Sequence, residues 1–591
     1  MVKLTINNRE IETTEDKTIL QAAKDNNILI PHLCYLEGVH EIGSCRLCIV
    51  EVEGMRNLMA SCVTKVQEGM KIKTNSNRVR NARKVLYELI LSDHPKNCLS
   101  CERNDNCELQ EMAGVIKVDH DRFKGQKSKE IIDDSSVSIV RDMSKCIMCR
   151  RCETVCNEIQ GVGILNTQGR GFEAMISAGQ GLMINEVACV LCGQCTKVCP
   201  VGALQERSSI EEVWKAINDK SKVVVVQTAP AIRAALGEEF GYQAGTSVTG
   251  KMASSLRELG FDYVFDTNFT ADLTIIEEGH EFLSRIKAAV IDKKETVLPM
   301  ITSCSPGWIK YIEHFFPDQL AHLSSCKSPH MMLGALTKSY FAEKMDIDPE
   351  NIYVVSIMPC TAKKYEVTRP EMVNDGYPNV DAVLTTRELG RMIRDAGIDF
   401  RNLEDGYFDS PLGLSSGAAD IFGNTGGVME AAIRTVYELI TGRELPFDKL
   451  HVEPLMGVDR IKTATLKIED PLDEWKELDG VEVNVAVTSG LTGAGELLEE
   501  IKAGKSKYHF IEVMACPGGC INGGGQPRAN DDPQIREKRI RSLYLEDENK
   551  TLRKSHENKD IIRLYEEFLG KPLGHHSHEL LHTTYTKRSK Y

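Results

Sequence analysis

Cysteine spacing sets the chemistry open to this chain. Nineteen of its twenty cysteines fall into sets whose spacing suits metal clusters, running from Cys34 to Cys520. The first set is Cys34, Cys45, Cys48 and Cys62, spaced C-x10-C-x2-C-x13-C. Four thiolates around a turn suit a [2Fe–2S] cluster, and Gly43 gives the loop the backbone freedom to wrap one. A zinc ribbon also uses four cysteines but prefers two close pairs; here only Cys45 and Cys48 are close. The second set is His94, Cys98, Cys101 and Cys107. Three cysteines leave a [4Fe–4S] cubane one donor short, and His94 lies within reach. Histidine in place of thiolate raises the potential of the cluster it binds.

The third set is an internal repeat, Cys146-x2-Cys149-x2-Cys152-x3-Cys156 followed by Cys189-x2-Cys192-x2-Cys195-x3-Cys199-Pro200. In this two-cluster run each fourth cysteine ligates the other run's cluster. One cubane is therefore expected on Cys146, Cys149, Cys152 and Cys199, the other on Cys189, Cys192, Cys195 and Cys156. Asn157 stands where the second run has proline, a departure that leaves the ligands untouched.

Five cysteines remain: Cys304, Cys326, Cys360, Cys516 and Cys520. Four lie in distinctive loops, at 302–308 (TSCSPGW), 358–364 (MPCTAKK) and 514–520 (MACPGGC). These loops resemble the signature motifs of [FeFe]-hydrogenases, and the N-terminal modules follow the order of the long members of that family. The resemblance implies an H-cluster, a [4Fe–4S] cubane joined to a two-iron subsite carrying CO, cyanide and a dithiolate amine. It implies Cys360, Cys516 and Cys520 as cubane ligands, with Cys520 the bridge. Lys363 corresponds to a lysine that hydrogen-bonds a cyanide. Met358 and Met514 correspond to soft apolar residues around the two irons, beside Ala229, Pro230 and Pro359. Glu278, Glu281 and Ser324 correspond to the family's proton path. The family's first loop usually reads T-S-C-C-P, where the first cysteine relays protons and the second binds the cubane. Here the pair is Cys304-Ser305, so either Cys304 takes the ligand role with Ser305 near the relay, or another thiol such as Cys326 helps. Ala231, where relatives often have serine, and His330, where some have glutamine, are expected to tune the two-iron site.

The elements that must hold these residues follow from pattern. Residues 1–79 read as short strands around a helix at 18–26, a ferredoxin-like β-grasp module that resembles plant-type ferredoxins but departs from their C-x4-C first gap. Residues 80–126 read as a small helical cluster domain with one histidine and three cysteine ligands, beginning with a helix at 80–91. Residues 127–209 read as a two-[4Fe–4S] ferredoxin domain. Residues 210–591 alternate apolar strands, at 222–226 and 353–357, with helical stretches, the texture of a large α/β domain. The fold class expected is thus multidomain, α+β and α/β. The tail from 555 reads as polar and basic with a helix at 560–569.

Composition is that of a globular protein, with 42% apolar and 27% charged residues in 591. A net charge of −14 argues against nucleic acid as a partner. No apolar run reaches the ~18 residues of a membrane span, and the N-terminus alternates like a strand rather than a signal peptide, so a cytoplasmic protein with no membrane role is expected. H-E-x-x-H at 578–582 matches a zinc-protease pattern, but leaves no room for a downstream third ligand and is given no zinc-catalytic role. Gly523–Gly525 and the glycines at 423–427 fit no nucleotide fingerprint and are read as sites of close backbone approach or tight turns. No flavin or NAD site is found.

The reading is an [FeFe]-hydrogenase subunit that interconverts H₂ with protons and electrons. Its clusters would pass electrons to ferredoxin or to a flavin- and NAD-binding partner subunit, and maturation proteins would build its H-cluster. The N-terminal module, similar to that of the large subunit of respiratory complex I, and the Cys304-Ser305 loop favour the NAD-linked, bifurcating arrangement. A redox or H₂ sensor would carry an added signalling domain, and none is found. A non-catalytic wiring subunit would lack the loops at Cys360, Cys516 and Cys520. One [2Fe–2S], three [4Fe–4S] clusters and an H-cluster require roughly 20 irons per chain. Expressed without maturation machinery, the chain should hold its cubanes and its [2Fe–2S] cluster. It should show no infrared CO or cyanide bands and no hydrogenase activity; bands in that preparation would exclude the H-cluster reading.

Overall fold

The computed structural model describes residues 1–104, 106–118, 122–128, 130–528 and 534–590. The chain divides into two units. One comprises 1–158, 163–187 and 198–205; the other comprises 159–162, 188–197 and 206–591.

The first unit opens on a five-stranded sheet in the order Arg9–Thr13, Val2–Ile6, Lys71–Lys73, Ile49–Val52, Met59–Ala60. Alternation puts Leu4, Ile6, Ile11, Val50, Val52 and Ile72 on one buried face, as a period of two requires. Helix Ile19–Asp25 covers that face. Thr18 and Gln21 start the helix as a reciprocal capping box, and Ile19, Leu20, Ala22 and Ala23 form its buried side. Helix Asn77–Asp93 starts at Ser76, whose side chain accepts from Val79 N. It ends at His94, so the helix C-terminus delivers that histidine to the loop holding Cys98 and Cys101.

The second unit is built on two sheets. Strands Tyr263–Asp266, Val223–Thr228, Ile352–Met358 and Ala382–Thr385 form a wholly parallel sheet in that order. Strands Met300–Ile301, Phe510–Met514 and Glu482–Ser489 are parallel, with Ile461–Lys467 antiparallel at the edge. Parallel strands need both faces covered. Val224, Val225, Val226, Val354, Val355 and Ile357 are accordingly all buried in consecutive runs.

The loops at Ala229–Pro230, Cys304–Ser305, Cys360 and Cys516–Cys520 follow the C-terminal ends of Val223–Thr228, Met300–Ile301, Ile352–Met358 and Phe510–Met514. The C-terminal edge of parallel strands is where open α/β sheets bind their ligands. Helix Asn268–Ile286, buried along most of its length, carries Glu277, Glu278 and Glu281.

The tail differs from its polar reading. Helix Lys559–Leu564 continues as a wider turn through Tyr565–Leu569, and a last helix spans His575–Leu581. Ile561, Leu564, Tyr565, Leu569, Leu580 and Leu581 lie in the same apolar cluster as the parallel-sheet valines. A stripe of three- and four-residue steps is enough to bury one helix face, and average polarity conceals it. Among the described residues, no helix is long and apolar enough to cross a membrane.

Candidate active site and cluster sites

None of the twenty cysteines is in a disulfide. Cys34, Cys45, Cys48 and Cys62 are drawn together by the loop after Leu33. Cys45 N donates to Cys34 Sγ at 3.5 Å, and Cys48 and Cys62 sulfurs lie 3.3 Å apart. Gly43 has φ +65°, a conformation a side chain would strain, and its missing Cβ would lie 3.8 Å from Cys62 Sγ.

His94, Cys98, Cys101 and Cys107 line one cavity of about 160 Å³, together with Tyr87, Lys145 and Gly202. His94 Nδ1 is buried and finds no hydrogen-bond partner. A buried imidazole nitrogen without a partner costs free energy unless something binds it. Burial also lowers the affinity of the ring for a proton, with the Lys145 charge adding to the effect and a hydrogen bond to the Lys145 backbone opposing it. A side chain at Gly202 would come within 2.9 Å of Cys101 Sγ.

In the first unit, Cys146 and Cys149 lie within electrostatic reach of Cys199. In the second unit, Cys192 feels Cys516, Cys195 and Cys189. The thiols of Cys189–Cys195 and the loop at Cys516 thus share one neighbourhood.

The C-terminal loops converge. Burial raises the Cys520 thiol well above its ordinary range, and Cys360, Cys304 and Cys516 act on it in turn. Glycine makes the approach possible. A Cβ on Gly523 would stand 2.1 Å from Pro359 O, and one on Gly524 would stand 2.3 Å from Cys192 O. Gly519, at φ +100°, lies against the backbone of Gly423–Thr425, and Thr425 N donates to Gly518 O at 3.1 Å. The two glycine-rich runs are surfaces of backbone contact between loops. Ala229 N donates to Ile357 O at 3.0 Å, and Gln526 Nε2 donates to Ala231 O at 3.0 Å. Met358 and Met514 are both buried, and Met514 shares an apolar cluster with Cys304 and Cys520.

Cys304 and Ser305 have different surroundings. Ser305 Oγ accepts from Ala515 N at 3.3 Å and ties the first loop to the third. The Cys304 carbonyl accepts from Lys363 Nζ at 3.1 Å. Burial pushes the Cys304 thiol up to about 12, and among charged groups Glu278 adds most to that rise while Lys363 opposes it. Lys363 also donates to Glu366 Oε2 at 2.7 Å, and His330 Nε2 lies 2.6 Å from the same oxygen. Burial works against the Glu366 carboxylate, but Lys363 and His330 overcome it and hold it down, to about 2. Burial, then Lys363, depress His330 to about 4. His330 therefore reaches the site through Glu366 and Lys363.

Beyond Cys304 a row of titratable groups leads outward along helix Asn268–Ile286. Burial raises Glu278 to about 8, with the Ser324 hydroxyl acting in the opposite sense. Ser324 Oγ donates to Glu281 Oε2 at 3.0 Å, and Arg285 Nη2 donates to Glu281 Oε1 at 2.7 Å. Glu281 and Arg285 are partly exposed. Glu278 and Glu281 sit three residues apart on one helix face.

Sequence reasoning missed Glu366, Glu512 and Arg285. The i,i+3 spacing of Lys363 and Glu366 on one helical turn is a signal that pattern reading can use. Glu512 lies in a buried strand, accepts from Gly426 N and Met429 N at 2.7 Å each, and is raised by burial to about 7. No pattern in its own stretch marks it, because its partners come from another helix. Cys326, the thiol outside every cluster set, lies buried near Glu281, Glu278 and Glu277.

Residues 222–524 match the family model described as iron only hydrogenase large subunit, C-terminal domain. Residues 533–588 match iron hydrogenase small subunit. Ahead of them, 1–77 match a 2Fe-2S iron–sulfur cluster binding domain, 83–122 the NADH-ubiquinone oxidoreductase-G iron-sulfur binding region, and 145–203 a 4Fe-4S dicluster domain. The chain belongs to the iron-only, or [FeFe]-, hydrogenase family, and is an oxidoreductase acting on hydrogen with [2Fe–2S], [4Fe–4S] and H-cluster domains. It is 51% identical to the NADP-reducing hydrogenase subunit HndD of Solidesulfovibrio fructosivorans, over the whole of both chains. It is 40% identical to iron hydrogenase 1 of Clostridium pasteurianum, across 99% of this chain and all of that one. An apo [FeFe]-hydrogenase structure from Chlamydomonas reinhardtii superposes with a TM-score of 0.59 at 44% identity, covering 65% of this chain and 100% of that one.

The donor sets fit the groups that this family carries: thiols gathered by loops, and a histidine with an unpartnered buried nitrogen among the residues lining one cavity with three of those thiols. His94→Cys should keep its cluster and lower the cluster's potential, since thiolate adds negative charge at iron. His94→Ala should leave the cluster labile and slow electron exit, while H₂/D⁺ exchange stays near that of the parent. An unchanged cluster spectrum and lability in His94→Ala would remove His94 from the ligand set.

Proposed function

We propose that Cys360, Cys516 and Cys520 hold the H-cluster, and that Cys304 is the thiol at which its proton traffic meets the protein. When bound, that group supplies the H₂-splitting chemistry, and the other iron–sulfur groups supply the electron path. The observation that carries the reading is the position of Cys304. It lies among the thiols that act on Cys520 and also within the field of Glu278. A proton released near Cys304 can pass to Glu278, then by way of the Ser324 hydroxyl to Glu281, and leave beside Arg285. Glu278 suits that role because burial tunes it to titrate near neutral pH, where a relay group both accepts and releases protons. Lys363, fixed by Glu366 and by Cys304 O, presents an ammonium to the loops. Ser305 joins loop to loop.

Cys34, Cys45, Cys48 and Cys62 would hold the [2Fe–2S] cluster, His94, Cys98, Cys101 and Cys107 one cubane, and the repeat two more. The four parts would be 1–79, 80–126, 127–209 and 210–591. Cys304→Ala should abolish H₂ oxidation. Iron analysis then divides its roles: a lost cubane marks a ligand, an intact but inert H-cluster marks the relay. Glu278→Gln should lower turnover about 10²–10⁴-fold with iron content unchanged; full activity in that variant would exclude this path.

For the electron partner we infer a flavin- and NAD(P)-binding subunit rather than ferredoxin alone. A relative similar over its whole length is described as NADP-reducing, while this sequence carries no dinucleotide fingerprint. The matured chain alone should reduce one-electron dyes with H₂ but not NADP⁺. NADP⁺ reduction at dye-like rates would overturn the need for a second subunit.

A further inference from the structure

The tail motif at 578–582 ends on a histidine that the hydrogenase chemistry does not use. His582 is buried. Its backbone pairs with that of Cys326 in an antiparallel bridge, locked by Lys327 N to Leu581 O and Thr583 N to Ser325 O, both 2.7 Å. This pairing places three different metal-binding groups together. One ligand atom each from Glu281, Cys326 and His582 lies within 4.8 Å of the other two.

The imidazole is already set up as a ligand. Its Nε2 lies 3.1 Å from Glu277 Oε2. Glu277 also accepts from Tyr565 Oη at 2.5 Å and Leu573 N at 2.9 Å, so it has donors enough to remain a carboxylate. Nε2 therefore carries the proton and donates it to Glu277. The lone pair is left on Nδ1, which lies 2.8 Å from Ser325 Oγ, itself 3.2 Å from Glu281 Oε2. A carboxylate behind the protonated nitrogen of a metal-binding imidazole is the arrangement that orients such ligands and raises their basicity. Thiolate, imidazole and carboxylate together match zinc, which takes three protein ligands and leaves a fourth position to water or a hydroxyl. Tetrahedral ligands sit about 3.5 Å apart, so closing the set needs shifts below about 1 Å.

We propose that Glu281, Cys326 and His582 form an inhibitory site for a divalent soft cation such as Zn²⁺, with Glu277 as its supporting carboxylate. Binding displaces the Cys326 thiol proton to solvent and occupies Glu281 Oε2, the oxygen that Ser324 donates to. The metal thereby closes the proton exit while leaving every cluster thiol untouched. The inhibitory half of this proposal rests on the proton path described above; the metal-binding half does not.

The test uses the matured, full-length enzyme, treated with stoichiometric ZnCl₂, desalted, and analysed for zinc, iron and H₂-driven dye reduction. The expected result is about one zinc per chain, unchanged iron, and activity lowered at least tenfold and restored by a chelator. Cys326→Ser, which keeps the side-chain shape, and His582→Ala should each lose the retained zinc. Each variant's activity, measured against its own zinc-free preparation, should no longer respond. Glu277→Gln should weaken zinc binding about 10–100-fold. Wild-type enzyme that retains no zinc, or variants that retain it equally, would overturn the site. Retained zinc without inhibition would overturn the blocking role and would remove Glu281 from the proton path. Loss of iron on zinc treatment would place the metal at a cluster and also overturn the proposal.

Discussion

Thiols far apart in the sequence must meet in a space that excludes water, and the rest of the catalytic unit is arranged around that demand. Cys304, Cys360, Cys516 and Cys520 come from three loops at the ends of three parallel strands. The loops meet only because backbone touches backbone. Gly523 and Gly524 sit where any Cβ would overlap a carbonyl of Pro359 or Cys192. The strands that carry these loops belong to two sheets, Ile352–Met358 to one and Met300–Ile301 and Phe510–Met514 to the other, and in each the loops leave from the C-terminal ends of parallel strands.

Dryness has electrostatic consequences. Charges taken out of water survive only when paired, and breaking such a pair costs about 3–5 kcal/mol. Lys363, Glu366 and His330 form one such set, anchored on the Cys304 carbonyl. Among the described residues Glu278 has no ion pair like that of Glu366 with Lys363, so burial dominates and raises its affinity for a proton. Two buried carboxylates eighty-eight residues apart are thus shifted in opposite directions, Glu278 upward by burial and Glu366 downward by Lys363 and His330. Glu512 belongs with Glu278: backbone N–H groups at the start of helix Gly427–Thr441 only partly offset its burial.

The tail shows how an unremarkable composition conceals a structural part. Its apolar residues enter the core of the parallel-sheet domain. His582 and Tyr585 then reach the segment that carries Ser324, Ser325 and Cys326: His582 Nδ1 to Ser325 Oγ, and Tyr585 Oη donating to Ser324 O at 2.6 Å. Residues some 250 positions downstream therefore hold the segment beside Glu281 in place.

Cysteine spacing by itself determined the kinds of cluster to expect, because iron–sulfur ligation depends on short loop lengths that the sequence states directly. The same holds for the α/β texture after residue 210 and for the helix at 18–26, where a local cap and apolar period decide the outcome. The helix that ends at His94 was legible, but the cavity facing its Nδ1 was not. Tertiary structure alone decided the partners of isolated residues. Glu366 beside His330, Glu512 at a helix N-terminus, Ser305 turned to Ala515 N, and His582 beside Cys326 are contacts between segments tens to hundreds of residues apart. The physical reason is range. A cap, a turn or a ligand loop is settled within a few residues, whereas burial and charge pairing are settled by whatever the fold brings alongside.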